Sequence, residues 1–515
     1  MKPQEALVLR NGQTAALGAV PELAVAEFRR RVIEAVFRGR RVAALFGRPA
    51  GVAECKHSGH EKAIRLTAVL ADDASSHLEM LTTCVERRYP AMTPECPQVH
   101  WFEREIAEQW DVRPEGHPWL KRIRFHAPYA RGDEVFGRVG EPIVPGVTEF
   151  FRVAGDEVHE VAVGPVHAGV IEPGHFRFQC HGEQVLHLEI SLGYQHRGVE
   201  PALAGGPSVR TIHYLETLAG DSTIGHATAY CQAVEALSGT GVPARAQAIR
   251  GIALELERLA CHIGDLGALA GDVGFLPTAS YCGRIRGDAL NLTAVVCGSR
   301  FGRSLVRPGG VRFDLDQARC EDLLKRLETL SRDTAVAVNL LWEKPSVMAR
   351  FEETGVVSEE EARRIGLVGP AARASGLGRD VRHDHPAGIY SFAHLPVSTW
   401  HTGDVFARAY VRWLEVQQSL EFVRDQLRSL PEGPICQEVG ALAAGRTVAT
   451  LVEAWRGEVC HVATTDEAGR LAHYKVTDPS LHNWFGLALA LRGQQISDFP
   501  LCNKSFNLSY CGHDL

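Results

Sequence analysis

The stretch "RGIALELERLACHIGDLG", Arg250 to Gly267, decides the fold. Ile252, Leu256, Leu259, Ile263 and Leu266 recur at steps of four and three, which lines one continuous face of an α-helix with apolar side chains. That face is a core face. Two further helical stretches, "DQARCEDLLKRLETLSRDTAVAVNLLW" (Asp316–Trp342) and "ARAYVRWLEVQQSLEFVRDQLRSL" (Ala407–Leu430), are long enough to pack beside it as a bundle. The sequence predicts an α+β protein, a small mixed domain at the front followed by a mainly helical one that begins with a β-hairpin.

The hairpin is read from "HFRFQC" and "VLHLEISL", two alternating runs around "HGEQ". Ahead of it, residues 1–130 form an α+β domain with a helix in "AVAEFRRRVIEAVFRG" (Ala24–Gly39), a strand in "AIRLTAVLADD" (Ala63–Asp73) and a helix in "VHWFEREIAEQW" (Val99–Trp110). Residues 131–158, which include the Gly- and Pro-bearing "FGRVGEPIVPGVTEF", are expected as a linker, and 159–515 as the second domain. The charged helix "WFEREIAEQWD" reads as a solvated face.

The composition is that of a soluble globular chain: 515 residues, 45% hydrophobic, 23% charged, formal charge −7. No Lys/Arg run stands out to grip nucleic acid. The apolar run "WFGLALAL" (Trp484–Leu491) is far too short to cross a bilayer, and "MKPQEALVLRNG" has no apolar signal core. The protein is therefore expected in the cytoplasm, or on a membrane through partners. The thirteen cysteines include no Cys-x-x-Cys pair and are expected as free, mostly buried thiols. Cys55, His57 and His60 in "CKHSGH" could supply half a zinc site, but no second ligand pair lies nearby and a solvated loop is the better reading. Cys261-His262 sits mid-helix, where a packed histidine outweighs a ligand. "RHDHP" (Arg382–Pro386) alone is a polar turn. No Walker motif and no GxGxxG after a strand support nucleotide binding.

Two stretches resist such readings: "GPVHAGVIEPGHFRF" from Gly164 and the terminal "QQISDFPLCNKSFNLSYCGHDL". With "YQHRGVE" (Tyr194–Glu200), "VPARAQAIRGIALELERLACHI" and "VGPAARASGLGRDVRHDHP" (Val368–Pro386), they resemble the large subunit of membrane-bound, energy-converting nickel–iron hydrogenases of the formate hydrogenlyase type. They are also similar to the 49-kDa-type subunit of respiratory complex I. "WFEREIAEQWDVRPEGHPWLKRI" resembles the 30-kDa-type subunit of complex I, and the fusion of the two is the hydrogenlyase arrangement.

The resemblance implies a place and a chemistry. The place is the peripheral arm of a membrane complex, on the cytoplasmic side of the inner membrane. The partners are an iron–sulfur small subunit, which would carry the cluster, and antiporter-like membrane subunits. In the hydrogenases two Cys-x-x-Cys pairs hold nickel and iron. Alignment on "HATAY" and on "ISDFPL" puts those thiolates at Ala219 and Ser222, and at Ser509 and Gly512. Soft thiolates select nickel and low-valent iron; serine hydroxyls are hard, and Ala and Gly have no side-chain donor. No nickel–iron centre is expected, and no metal or other cofactor in this chain. Leu515 falls about where the processed hydrogenase subunit ends, so no processing tail is expected.

Around that place "VEAWRGEVCH" matches the family's Glu-Ala-Pro-Arg-Gly…His segment, with Trp455 in place of proline. Arg456 falls on the arginine over the active site; Glu453 and His461 match, and Glu200 matches a glutamate of the outer shell. A polar pocket of Arg456, Asp221, Ser222 and Ser509 is expected, with Arg456 and Asp221 as its charge pair; the plain alternative is leftover polar residues in structural hydrogen bonds. The complex I comparison implies a quinone beside a tyrosine and a histidine. Tyr214 falls on the tyrosine; the histidine falls on Pro173, flanked by His167 and His175, and His167 is the candidate. The two functional readings are a metal-free redox-coupling subunit, with a quinone as acceptor and ion translocation as output, and a non-catalytic scaffold of such a complex. A working hydrogenase lacks its donors.

Overall fold

The computed structural model describes residues 6–50, 63–130, 132, 134–137, 140, 142–169 and 171–515; Cys55, His57 and His60 lie outside them. The front domain is an antiparallel sheet of β1 (Leu7–Leu9), β3 (Arg41–Pro49), β4 (Ile64–Asp72) and β5 (His77–Val85), in the order β1-β5-β4-β3. Helices α1 (Val25–Phe37) and α2 (His100–Trp110) cover it, and Phe28, Val32, Leu45, Leu66, Phe102 and Ile106 make one apolar core. The short strands β6 (Arg88–Pro90) and β7 (Arg113–Glu115) pair in parallel beside α2. Strand β2 (Thr14–Ala16) leaves this domain altogether and pairs with a strand more than 400 residues away, Arg446 opposite Ala16.

Helix α2 corrects the sequence reading. Trp101 through Trp110 are all buried, charges included. The apolar side meets the sheet, and the charged side is covered by the chain that follows it and by the second domain. Glu108 accepts the backbone N–H groups of Ile123, Arg124 and Phe125 at 2.7–3.1 Å, Glu103 accepts those of Met92 and Thr93, and Glu105 pairs with Arg124 and Lys475. Buried charge persists where each one is hydrogen-bonded.

The second domain opens with the expected hairpin, β9 (His175–His181) and β10 (Gln184–Ser191), turned at Gly182 with φ +56° and joined by β8 (Val158–Val163). Short helices α3 (Val199–Leu203) and α4 (Thr211–Leu215) lead into α5 (Thr223–Ser238), α6 (Ala244–Asp272) and α7 (Leu276–Cys297). A two-rung ladder, β11 (Val306–Arg307) and β12 (Gly310–Val311), precedes α8 (Gln317–Trp342) and the short α9 (Pro345–Phe351), α10 (Glu359–Ile365), α11 (Gly369–Ala374) and α12 (Val381–Asp384). Then come α13 (Val405–Arg428), the strands β13 (Arg446–Ala454), β14 (Gly457–Thr465) and β15 (Leu471–Thr477), and finally α14 (Pro479–Ala490), α15 (Phe499–Phe506) and α16 (Tyr510–Asp514). The order β15-β14-β13-β2 makes a sheet shared by both ends of the chain. The described cysteines are free, and all but Cys436 are buried, except Cys84, which is disulfide-bonded and so departs from the free-thiol expectation.

Helix α6 is the axis. Ile252, Leu256, Leu259, Ile263 and Leu266 expose no surface at all, each removal from water being worth about 2 kcal/mol. A second stripe, Glu255, Arg258, His262 and Asp265, runs along the same helix and is equally buried. Helix α7 approaches so closely that a Cβ on Gly267 would stand 2.6 Å from the Cβ of Cys282. We expect Gly267→Val to overpack this crossing and lower the urea-unfolding free energy by about 2 kcal/mol; an unchanged midpoint would show that the helices do not meet there.

Candidate functional site

Two loops that are remote in sequence converge: residues 217–222 before α5 and 507–512 around the start of α16. Two arginines tie them from different directions. Arg197 donates to the carbonyls of Thr217 (2.9 Å), Leu218 (2.8 Å) and Cys511 (3.2 Å). Arg456, at the β13–β14 turn, grips both oxygens of Asp221, at 2.5 and 2.8 Å, and gives its Nε–H to the carbonyl of Asn507 at 2.6 Å. Its guanidinium lies 3.9 Å above the Trp455 ring, whose indole N–H donates to the Asp221 carbonyl at 2.9 Å. The Asp221 carboxylate holds Arg456 protonated more firmly than an ordinary arginine, against the opposing effect of burial.

Ala219, Ser222, Ser509 and Gly512, the positions the resemblance leads one to expect at the thiolates, each have a structural role. Ala219 is wholly buried. Ser222 precedes α5 with its hydroxyl 3.5 Å from Arg456 Nη1. Ser509 caps α16: its Oγ accepts the N–H of Gly512 at 2.9 Å, and its own N–H goes to Ser480 Oγ. At Gly512 a Cβ would fall 2.7 Å from Cγ of Asp478, so a carboxylate occupies the side-chain space of that position. Two thiols stand close by. Cys261 Sγ is 3.6 Å from the Asp221 carbonyl and Cys511 Sγ is 3.5 Å from Ser509 Oγ. Burial pushes both away from the thiolate form that metals require, Cys511 up to about 11. Among the described residues, no group of three or more His, Cys, Asp and Glu is placed to hold a metal ion.

Behind the loops runs a buried hydrogen-bond chain. The Tyr474 hydroxyl meets His461 Nδ1 at 2.8 Å, His461 Nε2 meets His226 Nδ1 at 3.1 Å, and His226 Nε2 meets Asp478 Oδ2 at 3.0 Å. Beside it the second stripe of α6 enters an ionic network. Glu415 accepts from Arg373 at 2.9 Å and His262 at 2.8 Å; Arg373 also donates to Glu453 at 2.8 Å, and Glu255 is flanked by Arg258 and Arg382. Burial, aided by the nearby Asp380 carboxylate, pushes Glu453 up to about 7 although Arg373 opposes it.

Residues 272–444 match the family described as "Respiratory-chain NADH dehydrogenase, 49 Kd subunit", and residues 50–133 match its 30 Kd counterpart. The chain is 31% identical over 434 residues to formate hydrogenlyase subunit 5 of Escherichia coli, covering 82% of this chain and 76% of that protein. It is 32% identical to the carbon monoxide-induced hydrogenase of Rhodospirillum rubrum, over 68% of this chain and 97% of the relative. With NADH-quinone oxidoreductase subunit 4 of Thermus thermophilus it shares 32% over 370 residues, 66% of this chain and 90% of the other. The chain belongs to this hydrogenase-like and complex I-like oxidoreductase subunit family.

Within that family frame the proposed residues separate into groups. Arg456, Asp221 and Ser222 come together. Glu453 and His461 lie behind them, in the ionic network and the histidine chain. Glu200 is farther out, accepting from Lys475 at 2.9 Å and from the Val476 N–H at 3.0 Å. His167 and Tyr214 are not joined. His167 donates from Nε2 to the Gly174 carbonyl, 3.0 Å away, and lines a cavity of about 430 Å³ with Phe176, Phe499, Asn507, Leu508 and Tyr510. Tyr214 is on α4, 41% exposed, with no bond to His167. The sequence by itself assigns no role to Arg197 or Asp478. The motif "YQHRGVE" held the signal for Arg197; nothing local marks Asp478, whose role depends on α14 being capped beside Gly512.

Burial and the neighbouring His226 hold His461 neutral well below the usual 6.5. The unfolded chain takes a proton there that the folded chain refuses. This histidine's share of stability is therefore complete above about pH 6.5 and is lost as pH falls. We expect His461→Gln to flatten the loss of unfolding free energy below about pH 6.5 by about 1.4 kcal/mol per pH unit. Equal slopes in urea titrations would mean that His461 takes its proton within the fold.

Proposed function

We propose that this chain is a metal-free large subunit in the peripheral arm of a membrane-bound oxidoreductase, on the cytoplasmic side of the inner membrane. It works beside an iron–sulfur small subunit and antiporter-like membrane subunits, coupling electron transfer in its partners to ion translocation. No helix among its described residues is long and apolar enough to cross a membrane, which suits a peripheral place. The donor set does not fit nickel and iron: Ala219 and Gly512 offer no side-chain donor, and Ser222 and Ser509 offer hard hydroxyls. The observation that carries the reading is Arg456, which from the β13–β14 turn grips Asp221 of one loop in a bidentate ion pair and holds the Asn507 carbonyl of the other.

The acceptor in this reading is a quinone seated in the His167 cavity. Aromatic and aliphatic walls from Phe176, Phe499 and Leu508 suit an apolar ring, and the imidazole suits a quinone oxygen. The same cavity reaches Asn507, whose carbonyl Arg456 holds, so occupancy there bears on the clamp. One observation favours the scaffold reading instead: Tyr214 is 41% exposed and does not line the cavity of His167, so that cavity lacks the phenol expected beside the imidazole at a quinone oxygen.

The test is isolation of the intact complex with metal analysis and quinone-reduction assays. We expect nickel far below one per chain, and quinone reduction slowed by about tenfold or more in His167→Ala. Stoichiometric nickel ends the metal-free reading. Rates unchanged in His167→Ala, Tyr214→Phe and Arg456→Ala leave the scaffold. A partner small subunit that has lost its own cluster cysteines would also favour the scaffold.

A further inference from the structure

Between the two domains lies a cavity of about 600 Å³, within the range of small-molecule sites. Its walls include Trp101 on α2 and Trp484, Phe485 and Ala488 on α14. The indole nitrogens of Trp101 and Trp484 are buried without a hydrogen-bond partner, although buried indoles usually find one. Three arginines line the same space: Arg104, Arg364 and Arg492. Arg104 is buried over the Trp101 ring at 4.6 Å and donates to the carbonyls of Lys121 and Arg122, and no carboxylate pairs with it among the described residues. Arg364 and Arg492 are exposed and likewise form no ion pair there.

The two carboxylates of the lining are already engaged. Glu189 accepts from Lys121, Trp119 and the Phe151 N–H, and Glu361 from Ser358 in a helix cap. Burial keeps the histidines of the wall neutral, His100 well below the usual 6.5 and His117 near 4. The balance of the cavity is aromatic and cationic.

We propose that this interdomain cavity is a binding site for a planar aromatic carboxylate. The ring stacks among the indoles and Phe485, and the carboxylate is held by the guanidinium groups, whose paired N–H donors match its two oxygens. The site's lining shares no residue with that of the cavity beside His167, although Trp484 packs on the Tyr510 ring of that cavity with centroids 4.8 Å apart. Its ligand joins α2 of the first domain to α14 of the second, and so bears on how the domains are held together.

The experiment is calorimetric titration of the full chain with 2-naphthoate, with 2-naphthalenemethanol as the neutral ring of matching shape. We expect saturable one-to-one binding of naphthoate, at least about tenfold weaker for the alcohol and for the double variant Arg364→Ala/Arg492→Ala. Ala488→Phe, which fills the cavity and leaves every charge in place, should abolish binding while the thermal unfolding curve shows an intact fold. Absence of naphthoate binding overturns the proposal. So does equal affinity for the alcohol, or undiminished binding in a folded Ala488→Phe protein.

Discussion

The structure depends on a set of charges withdrawn from water around Arg373. Arg258, Arg373, Glu255 and Glu415 expose no surface, and Asp380, Arg382, Glu453 and His262 close the network around them. Each ion taken alone would cost several kcal/mol to bury. Together they are tolerated because nearly every donor finds an acceptor: Arg258 reaches Glu255 and the carbonyls of Glu453 and Ala454, and Glu255 also accepts from Tyr390 and Ser419. Such a network has few alternative arrangements, since sliding any one helix leaves a buried charge unpaired. It therefore sets the relative positions of α6, α11, α13 and β13.

Arg456 inherits its place from that constraint. The end of β13 is held by Arg258 through two carbonyls, and the turn that follows carries Trp455 and Arg456 directly over Asp221. The other loop is held independently. Arg124 donates twice to the His513 carbonyl, Asp514 accepts the N–H groups of Gly193 and Gln195, and Asn507 is tied to Asp265 of α6 at 2.6 Å. Two frames thus deliver two loops to one point, and the ion pair forms because they arrive there. The guanidinium joins them, with hydrogen bonds to the Asp221 carboxylate on one side and to the Asn507 carbonyl on the other.

What could be read in the sequence followed from periodicity. The apolar stripe of α6 is unambiguous, and α8, α13 and the β9–β10 hairpin lie where their patterns put them. The charged stripe Glu255, Arg258, His262 and Asp265 has the same three-and-four spacing, yet local pattern alone assigns charges to solvent; burial came from Arg373 and Arg382, more than a hundred residues on. Helix α2 is buried against its pattern for the same reason: Glu105 meets Arg124 and Lys475, and Glu103 and Glu108 meet backbone N–H groups of segments outside the helix. The pairing of Ala16 with Arg446 leaves no mark on either segment. Motif order led to the loop residues of the site, whereas the space at Gly512 depends on Asp478, which no local pattern announces.

The histidine chain shows why that space is filled. Asp478 accepts the N–H of Ser480 and so caps α14, which leaves its second oxygen to accept from His226 Nε2. On its other side His226 Nδ1 meets His461 Nε2, and His461 Nδ1 meets the Tyr474 hydroxyl. One carboxylate therefore anchors a line of three groups on α5, β14 and β15. The carboxylate cannot swing away to admit a side chain at position 512 without leaving a helix uncapped and a buried imidazole unpaired. The absence of a side chain at position 512 follows from this chain.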